Sequence, residues 1–120
     1  MLKGQGPKAN GMPELHKLMP VLANLQDGGF NVALLTDGRL SGASGKVLSV
    51  IHLVPEAANF GVISKIENDD LIEIDANHGR VNVLDLDLNT RTAQFIKHKN
   101  MGVGTELFSV FRTHVTPADE

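Results

Sequence analysis

The sequence predicts an α/β domain in which a mixed, barrel-like sheet is flanked by helices. Two continuous apolar runs suited to buried strands occur in the first half, and a strictly alternating segment suited to a hairpin follows them. Helical patterns lie on both sides of these strands. At 120 residues, the chain is long enough for one domain that buries about two thirds of its unfolded surface.

The first half of the chain predicts a loop, two helices and two buried segments. Residues 1–12 are rich in Gly, Lys and Asn and predict a loop. Residues 13–18 predict a short helix because proline suits its first position. A second helix is expected over 20–26, before a Gly-Gly pair that suits a helix end. The apolar run 31–36 predicts a buried strand, and 47–54 a second buried strand or a short helix.

The second half predicts mainly β structure and then a C-terminal helix. Its expected elements are a helical turn at Pro55–Ala58, strands at Val62–Ile66, Leu71–Asp75 and Val81–Leu84, a hairpin turn at Asn77–Gly79, and a helix at Glu106–His114. Alternating Leu-Ile-Glu-Ile-Asp is typical of a half-buried strand, and Asn-His-Gly is typical of a hairpin turn. Thr105 is a suitable N-cap for the last helix. Residues 92–97 fit either a strand or the start of a helix.

Composition excludes several functional classes. The chain has no cysteine, which excludes a disulfide framework, a thiolate zinc site, a cysteine nucleophile and self-supplied thiolates for an iron–sulfur cluster. A net charge of -3 without Trp or Tyr argues against nucleic acid as a partner. The longest apolar run, 47–54, is too short to span a membrane, and no apolar signal-peptide core is seen. The expected compartment is therefore the cytoplasm.

Two glycine-rich loops are the candidate functional segments. The segment Asp37–Lys46 follows a predicted buried strand and contains Arg39, two serines and three glycines. Glycines allow close approach of a ligand, and main-chain amides with Arg or Lys suit a carboxylate or phosphate. The segment Gly6–Glu14 is a second loop of this kind. An ordinary glycine-rich turn is the alternative for each. The five histidines lack metal-ligand spacing and are expected to be surface or packed residues.

These loops resemble the C-terminal domain of the dihydroxy-acid dehydratase and 6-phosphogluconate dehydratase family. The matching segments are Gly6–Lys8, Gly11–Glu14, Thr36–Gly42, Pro55–Ala57 and Asp70–Asp75. The Thr-Asp-Gly-Arg-Leu-Ser-Gly element is the most specific of them. Residues 9–18 and 41–46 are more similar to the phosphogluconate branch than to the branched-chain or sugar-acid branches.

The resemblance implies a hydro-lyase that dehydrates 6-phospho-D-gluconate to 2-keto-3-deoxy-6-phosphogluconate, a step of the Entner–Doudoroff pathway. It implies an iron–sulfur cluster that acts as Lewis acid on the leaving 3-hydroxyl, and a magnesium ion at the substrate carboxylate. Ser41 corresponds to the base that takes the C2 proton, and Glu14 to a carboxylate ligand of magnesium. A serine serves as base only if its pKa is strongly lowered, which nearby cations can do.

Charge and position suggest which residues bind the substrate. Lys8 and Lys46 are candidates for its phosphate, and Arg39 is a candidate for orienting the loop. Gly42 and Ser44 lie in the same loop and complete the predicted substrate-binding set.

The resemblance also implies that residues 1–120 are a single C-terminal domain of a longer chain. The family's N-terminal domain, which supplies the cysteines of the cluster and the remaining metal ligands, would be its partner. The full-length protein would be a homodimer. The isolated chain is then expected to be inactive, and its fold to resemble the swivelling β/β/α domain. The alternatives are a dihydroxy-acid or sugar-acid dehydratase, a stand-alone anion-binding or regulatory module, and a small subunit of a two-chain hydro-lyase.

Overall fold

Short helices and strands joined by long loops make up the chain in the computed structural model, which describes residues 1–41, 45–84, 87–94 and 106–120. The α-helices within these ranges are α1 (Pro7–Asn10), α2 (Met19–Asp27) and α3 (Ser109–His114). The strands are β1 (Ala33–Leu35), β2 (Leu48–Val50), β3 (Ile72–Asp75) and β4 (Arg80–Val83). Single 3₁₀ turns occur at His16–Leu18, Ala57–Asn59 and Val62–Lys65.

The described strands form two separate two-stranded sheets. Strands β1 and β2 are parallel, with Ala33 opposite Leu48, whereas β3 and β4 are antiparallel, with Asp75 opposite Arg80. The α/β class is therefore confirmed, but the barrel-like mixed sheet is not found among the described residues. Strands of three or four residues provide too short a ladder to close a barrel.

The hydrophobic core lies directly beneath the Asp37–Ser41 segment. Its buried members are Met19, Leu34, Leu40 and Val47, with Leu2, Leu15, Leu22, Val32 and Ile51 packed around them. Leu40 is buried in this core, whereas its neighbours Arg39 and Ser41 are exposed. Leu40 therefore anchors the segment while the two neighbouring side chains face solvent.

Several sequence predictions are confirmed with small shifts of their ends. The helix expected over 20–26 is α2, and the apolar runs 31–36 and 47–54 contain β1 and β2. The hairpin of β3 and β4 and the helical turn after Pro55 also form as expected.

Other predictions were wrong in the type of element. The expected loop 1–12 contains α1, and the expected helix 13–18 is only a 3₁₀ turn at His16–Leu18. The expected strand Val62–Ile66 is a 3₁₀ turn, in which Ile63 and Ser64 are buried and the Ser64 hydroxyl donates to the Gly61 carbonyl. An apolar run alone does not distinguish a buried strand from a buried helical turn.

The C-terminal helix α3 is shorter than predicted and lies against α1. Its apolar residues and those just before it are exposed. The predicted N-cap Thr105 and the second half of the ambiguous segment, 95–97, lie outside the described residues. Within the described ranges, no helix has the length and apolar character that crossing a membrane requires.

Candidate functional site

The two glycine-rich loops meet side by side. Glu14 forms an isolated parallel β-bridge with Arg39, and the Leu15 amide donates to the Arg39 carbonyl at 3.3 Å. This pairing brings Glu14 next to the segment that ends at Ser41. The predicted metal ligand and the predicted base, which are 27 residues apart in sequence, therefore lie in one site.

Glu14 connects the two loops through one carboxylate oxygen. Its Oε1 accepts the main-chain amides of Ser41 and His16, each at 2.9 Å. The hydrogen bond from the Ser41 amide is the main reason that the pKa of Glu14 lies below its usual value. Partial loss of hydration raises this pKa, whereas the Ser41 hydroxyl, the His16 amide and the charge of Arg39 lower it further. Glu14 is therefore a carboxylate at neutral pH, although its side chain is exposed.

Arg39 holds the turn that precedes Glu14. Its Nε donates to the Met12 carbonyl oxygen at 2.7 Å. Met12 has a φ of +52°, a left-handed conformation that is uncommon for a residue with a side chain. The guanidinium therefore stabilises a strained turn, and the orienting role of Arg39 stays a prediction.

His16 is a site residue that the sequence predictions missed. Its Nδ1 lies 3.3 Å from the Ser41 carbonyl oxygen and donates to it when that nitrogen carries a proton. Its position two residues after Glu14 was the available signal, but histidine spacing alone did not suggest a role. The main chain of Ser41 is thus held on its amide side by Glu14 and on its carbonyl side by His16.

Two buried carboxylates lie behind these loops. Asp37 is fully buried and accepts the amides of Gly4, Gln5 and Ala57 at 2.8–3.0 Å. Glu56 is 2% exposed and accepts the amides of Lys8 and Ala9 at 2.8 and 3.0 Å. Both residues belong to the matching segments named above, but the sequence did not indicate what they bind.

The predicted substrate-binding residues are more widely spread. Lys8 donates to the Asn59 side chain at 2.9 Å, and Lys46 pairs with Asp27 at 2.5 Å. Arg39 is the member of the set that contacts the loop of Glu14. Gly42 and Ser44 lie outside the described residues.

Glu14 is the predicted ligand of a divalent metal at this site. The described residues contain no group of three or more His, Cys, Asp or Glu residues that could hold an ion. The two main-chain amides that bind the Glu14 carboxylate both donate to Oε1, and carboxylate oxygen is a hard ligand that suits magnesium. Glu14 thus fits one position of a magnesium site. The absence of cysteine means that this chain does not fit an iron–sulfur cluster by itself.

Comparison with known proteins gives a match over the whole chain. Residues 1–120 match the family described as dihydroxy-acid/6-phosphogluconate dehydratase C-terminal. The chain is 51% identical to phosphogluconate dehydratase of Helicobacter pylori, with all of the chain and 21% of that protein covered. It is 52% identical to phosphogluconate dehydratase of Rhizobium meliloti, with 99% of the chain and 20% of that protein covered.

A more distant relative has a different name. Dihydroxy-acid dehydratase of Sulfurimonas denitrificans is 39% identical over 83% of the chain and 18% of that protein. The chain spans about a fifth of the length of these curated relatives.

Proposed function

The chain belongs to the family of C-terminal domains of dihydroxy-acid and 6-phosphogluconate dehydratases, and from this we propose that it supplies one side of a dehydratase active site. The proposed reaction converts 6-phosphogluconate to 2-keto-3-deoxy-6-phosphogluconate and water. Identities of 51% and 52% to phosphogluconate dehydratases, against 39% to a dihydroxy-acid dehydratase, favour the phosphorylated sugar acid as substrate.

The contact between Glu14 and Ser41 carries this proposal. In the proposed reaction the C2–H and C3–O bonds break, water leaves, and the resulting enol becomes the 2-keto acid. Ser41 takes the C2 proton in its deprotonated form. The 2.9 Å hydrogen bond from its amide to Glu14 keeps the base near the proposed metal ligand, and so near the substrate carboxylate.

The proposed cofactors are magnesium and an iron–sulfur cluster, which when bound supply Lewis acidity toward the substrate carboxylate and the leaving hydroxyl. Glu14 would provide one magnesium ligand. The thiolates for a cluster would come from outside this chain, which has no cysteine. We therefore propose an N-terminal domain of the same protein as the partner that completes the site, within a cytoplasmic homodimer.

Lys8, Lys46, Arg39, Gly42 and Ser44 remain the proposed substrate-binding residues. Lys46 would exchange its partner Asp27 for the substrate phosphate. This exchange costs little because the pair is exposed, with side chains 44% and 61% accessible. Lys8 would similarly leave Asn59. Arg39 would act mainly by holding the turn at Met12.

Turnover by the full-length protein tests the proposed function. The protein that carries this sequence is purified anaerobically, and keto-acid formation is followed from 6-phosphogluconate and, for comparison, from 2,3-dihydroxyisovalerate. We expect turnover of the phosphorylated acid. Ser41→Ala should lower kcat by about 100-fold or more, because it removes the general base.

Ser109→Ala is the matched control for loss of a serine hydroxyl. The hydroxyl of Ser109 donates to the Glu106 carbonyl in its own local turn, and among the described residues it has no hydrogen bond to either loop of the site, so full activity is expected. Turnover of dihydroxyisovalerate alone would agree with membership of the family but would contradict 6-phosphogluconate as the substrate. Full activity of Ser41→Ala would remove the proposed base, and a folded, cluster-loaded protein without turnover of either acid would favour a binding module.

A further inference from the structure

Asp37 and Glu56 hold the N-terminal segment of the chain against the segment that contains Ser41. Asp37 accepts the amides of Gly4 and Gln5, and Glu56 accepts those of Lys8 and Ala9. We infer that these two carboxylates are positioning residues that fix Glu14 relative to Ser41. This inference rests on the proposed function for its link to catalysis, but the geometry on which it depends can be tested separately.

The burial of both carboxylates makes these contacts specific. A buried carboxylate is costly unless hydrogen bonds compensate its lost hydration. Within the described ranges, neither Asp37 nor Glu56 takes part in an ion pair. Main-chain amides are therefore their described partners. Because an amide donor has a fixed position on the backbone, each carboxylate fixes the path of the chain and not only a side chain.

The path from Glu56 to Glu14 is short. Glu56 binds the amides of the first turn of α1, and that helix ends at Asn10 and is capped by Gly11, whose amide donates to the Pro7 carbonyl. The next residue, Met12, is the one that Arg39 holds. A displacement of α1 would therefore be transmitted over three residues to the turn before Glu14.

Asp37 acts at the other end of the same arrangement. It lies four residues before Ser41, and its Oδ2 accepts both the Gly4 amide and the Ala57 amide at 3.0 Å. Since Ala57 directly follows Glu56, a single carboxylate oxygen joins the N-terminal segment to the turn that carries the second carboxylate. Asp37 and Glu56 therefore act as one unit beneath the site.

Isosteric variants of the full-length protein test this inference. Asp37→Asn and Glu56→Gln keep the size of each side chain but replace one acceptor oxygen with an NH₂ group, which faces a main-chain donor. Activity is measured against magnesium concentration at saturating 6-phosphogluconate. We expect the half-saturating magnesium concentration to rise about tenfold or more, because groups that orient a metal ligand typically have effects of this size.

Asp70→Asn is the matched control. The Asp70 side chain is 7% exposed, pairs with Arg91 at 2.6 Å and accepts the Glu67 amide, so it is also a buried carboxylate with an amide partner. It has no described contact with either loop of the site. This variant should lower the Tm without changing the magnesium dependence.

A second measurement does not depend on activity. Amide hydrogen exchange is recorded on the same proteins for the peptide that contains Ser41, whose amide is protected by Glu14. Glu56→Gln should speed exchange in this peptide although Glu56 makes no described contact with Ser41, and Asp70→Asn should not.

The outcomes separate the inference from the proposed function. Faster exchange in both variants together with a higher half-saturating magnesium concentration supports the whole inference. Faster exchange in both variants, with a wild-type protein that has no dehydratase activity, overturns the proposed function and keeps the positioning role. Unchanged exchange at Ser41 overturns the positioning role, whatever the activity, as does a loss of Tm without any change in magnesium dependence.

Discussion

Glu14 combines two tasks at the scale of a single residue. One carboxylate oxygen accepts two main-chain amides, and these contacts hold the Ser41 segment beside the Glu14 loop. The same hydrogen bonds lower the pKa of this exposed carboxyl, led by the amide of Ser41. The loop contact and the charge for the proposed magnesium ion are therefore supplied by one group.

The lowered pKa predicts how stability depends on pH at this residue. A carboxyl whose pKa is lower in the folded state contributes stability above its ordinary value of 4.5, and this contribution is lost as the pH falls through the folded-state pKa. In the full-length protein without added magnesium, Glu14→Gln should lower the Tm at neutral pH. The difference in Tm from wild type should shrink as the pH falls below the ordinary value.

Glu73→Gln is the control for removal of an exposed carboxylate. Glu73 lies on β3 and accepts the Asn82 side chain at 3.0 Å, away from the loops of the site. A difference in Tm for Glu14→Gln that stays constant from neutral to acidic pH would contradict the proposed linkage.

Helix α1 shows how tertiary contacts create an element. Four residues are too few for a stable helix in isolation. The first turn of α1 is instead held by the carboxylate of Glu56, which is 47 residues from Ala9. This explains why the sequence of residues 1–12 predicted only a loop.

The close approach of Gly6 to Glu56 gives a prediction for this element. Gly6 has a φ of -67°, which any residue adopts, but a Cβ atom there would lie 2.6 Å from Glu56 Cδ and 2.7 Å from its Cβ. Gly6→Ala should therefore destabilise the protein by about 1–3 kcal/mol through overpacking, and should also raise the half-saturating magnesium concentration for activity.

Gly79→Ala is a contrasting variant in the hairpin turn. Gly79 has a φ of +62° and open space around it, so alanine there should cost about 1–2 kcal/mol of backbone strain alone. Chemical unfolding and magnesium titration of both variants check this pair. An unchanged half-saturating magnesium concentration for Gly6→Ala would contradict a role of α1 in positioning Glu14.

Local patterns predicted the elements whose stability is mainly local. The alternation in β3, the Asn-His-Gly turn and the return strand β4 were all readable from neighbouring residues. The segment Val62–Lys65 was not, because its apolar residues fit a strand and only packing selects the 3₁₀ turn.

The candidate site was also predictable only where the signal lies in neighbouring residues. Glu14 and Ser41 were identified through the motifs that resemble the family, and the structure brings their loops together. The partners of Asp37 and Glu56 could not be predicted, since these contacts join residues 20 to 48 positions apart. His16 was missed because its contact is with a main-chain oxygen of a distant loop.

At the scale of the whole molecule, an apolar surface surrounds α3. Leu107, Phe108, Val110 and Phe111 are each more than half exposed, and the rings of Phe108 and Phe111 lie 6.1 Å apart. Because monomeric proteins rarely leave such groups clustered in water, the isolated chain carries a surface that favours association.

We expect the isolated 120-residue chain to self-associate through this surface. Phe111→Ser should shift the association to higher protein concentration in sedimentation velocity experiments, because it removes apolar area from the centre of the patch. Phe30→Ser is the matched control, since Phe30 and Phe111 are both 63% exposed but Phe30 lies outside α3. Equal effects of the two substitutions would indicate non-specific hydrophobic association and not association through the surface around α3.

The Asp37–Ser41 segment is unsuited to transplantation into another protein. A grafted copy would carry Arg39 and Ser41, but Asp37 would arrive as a buried charge without the amides of Gly4, Gln5 and Ala57. Chimeras should therefore exchange the N-terminal segment, this loop and the turn after Pro55 together. In a directed-evolution library, these three segments would be recombined as one block, although they are far apart in the gene.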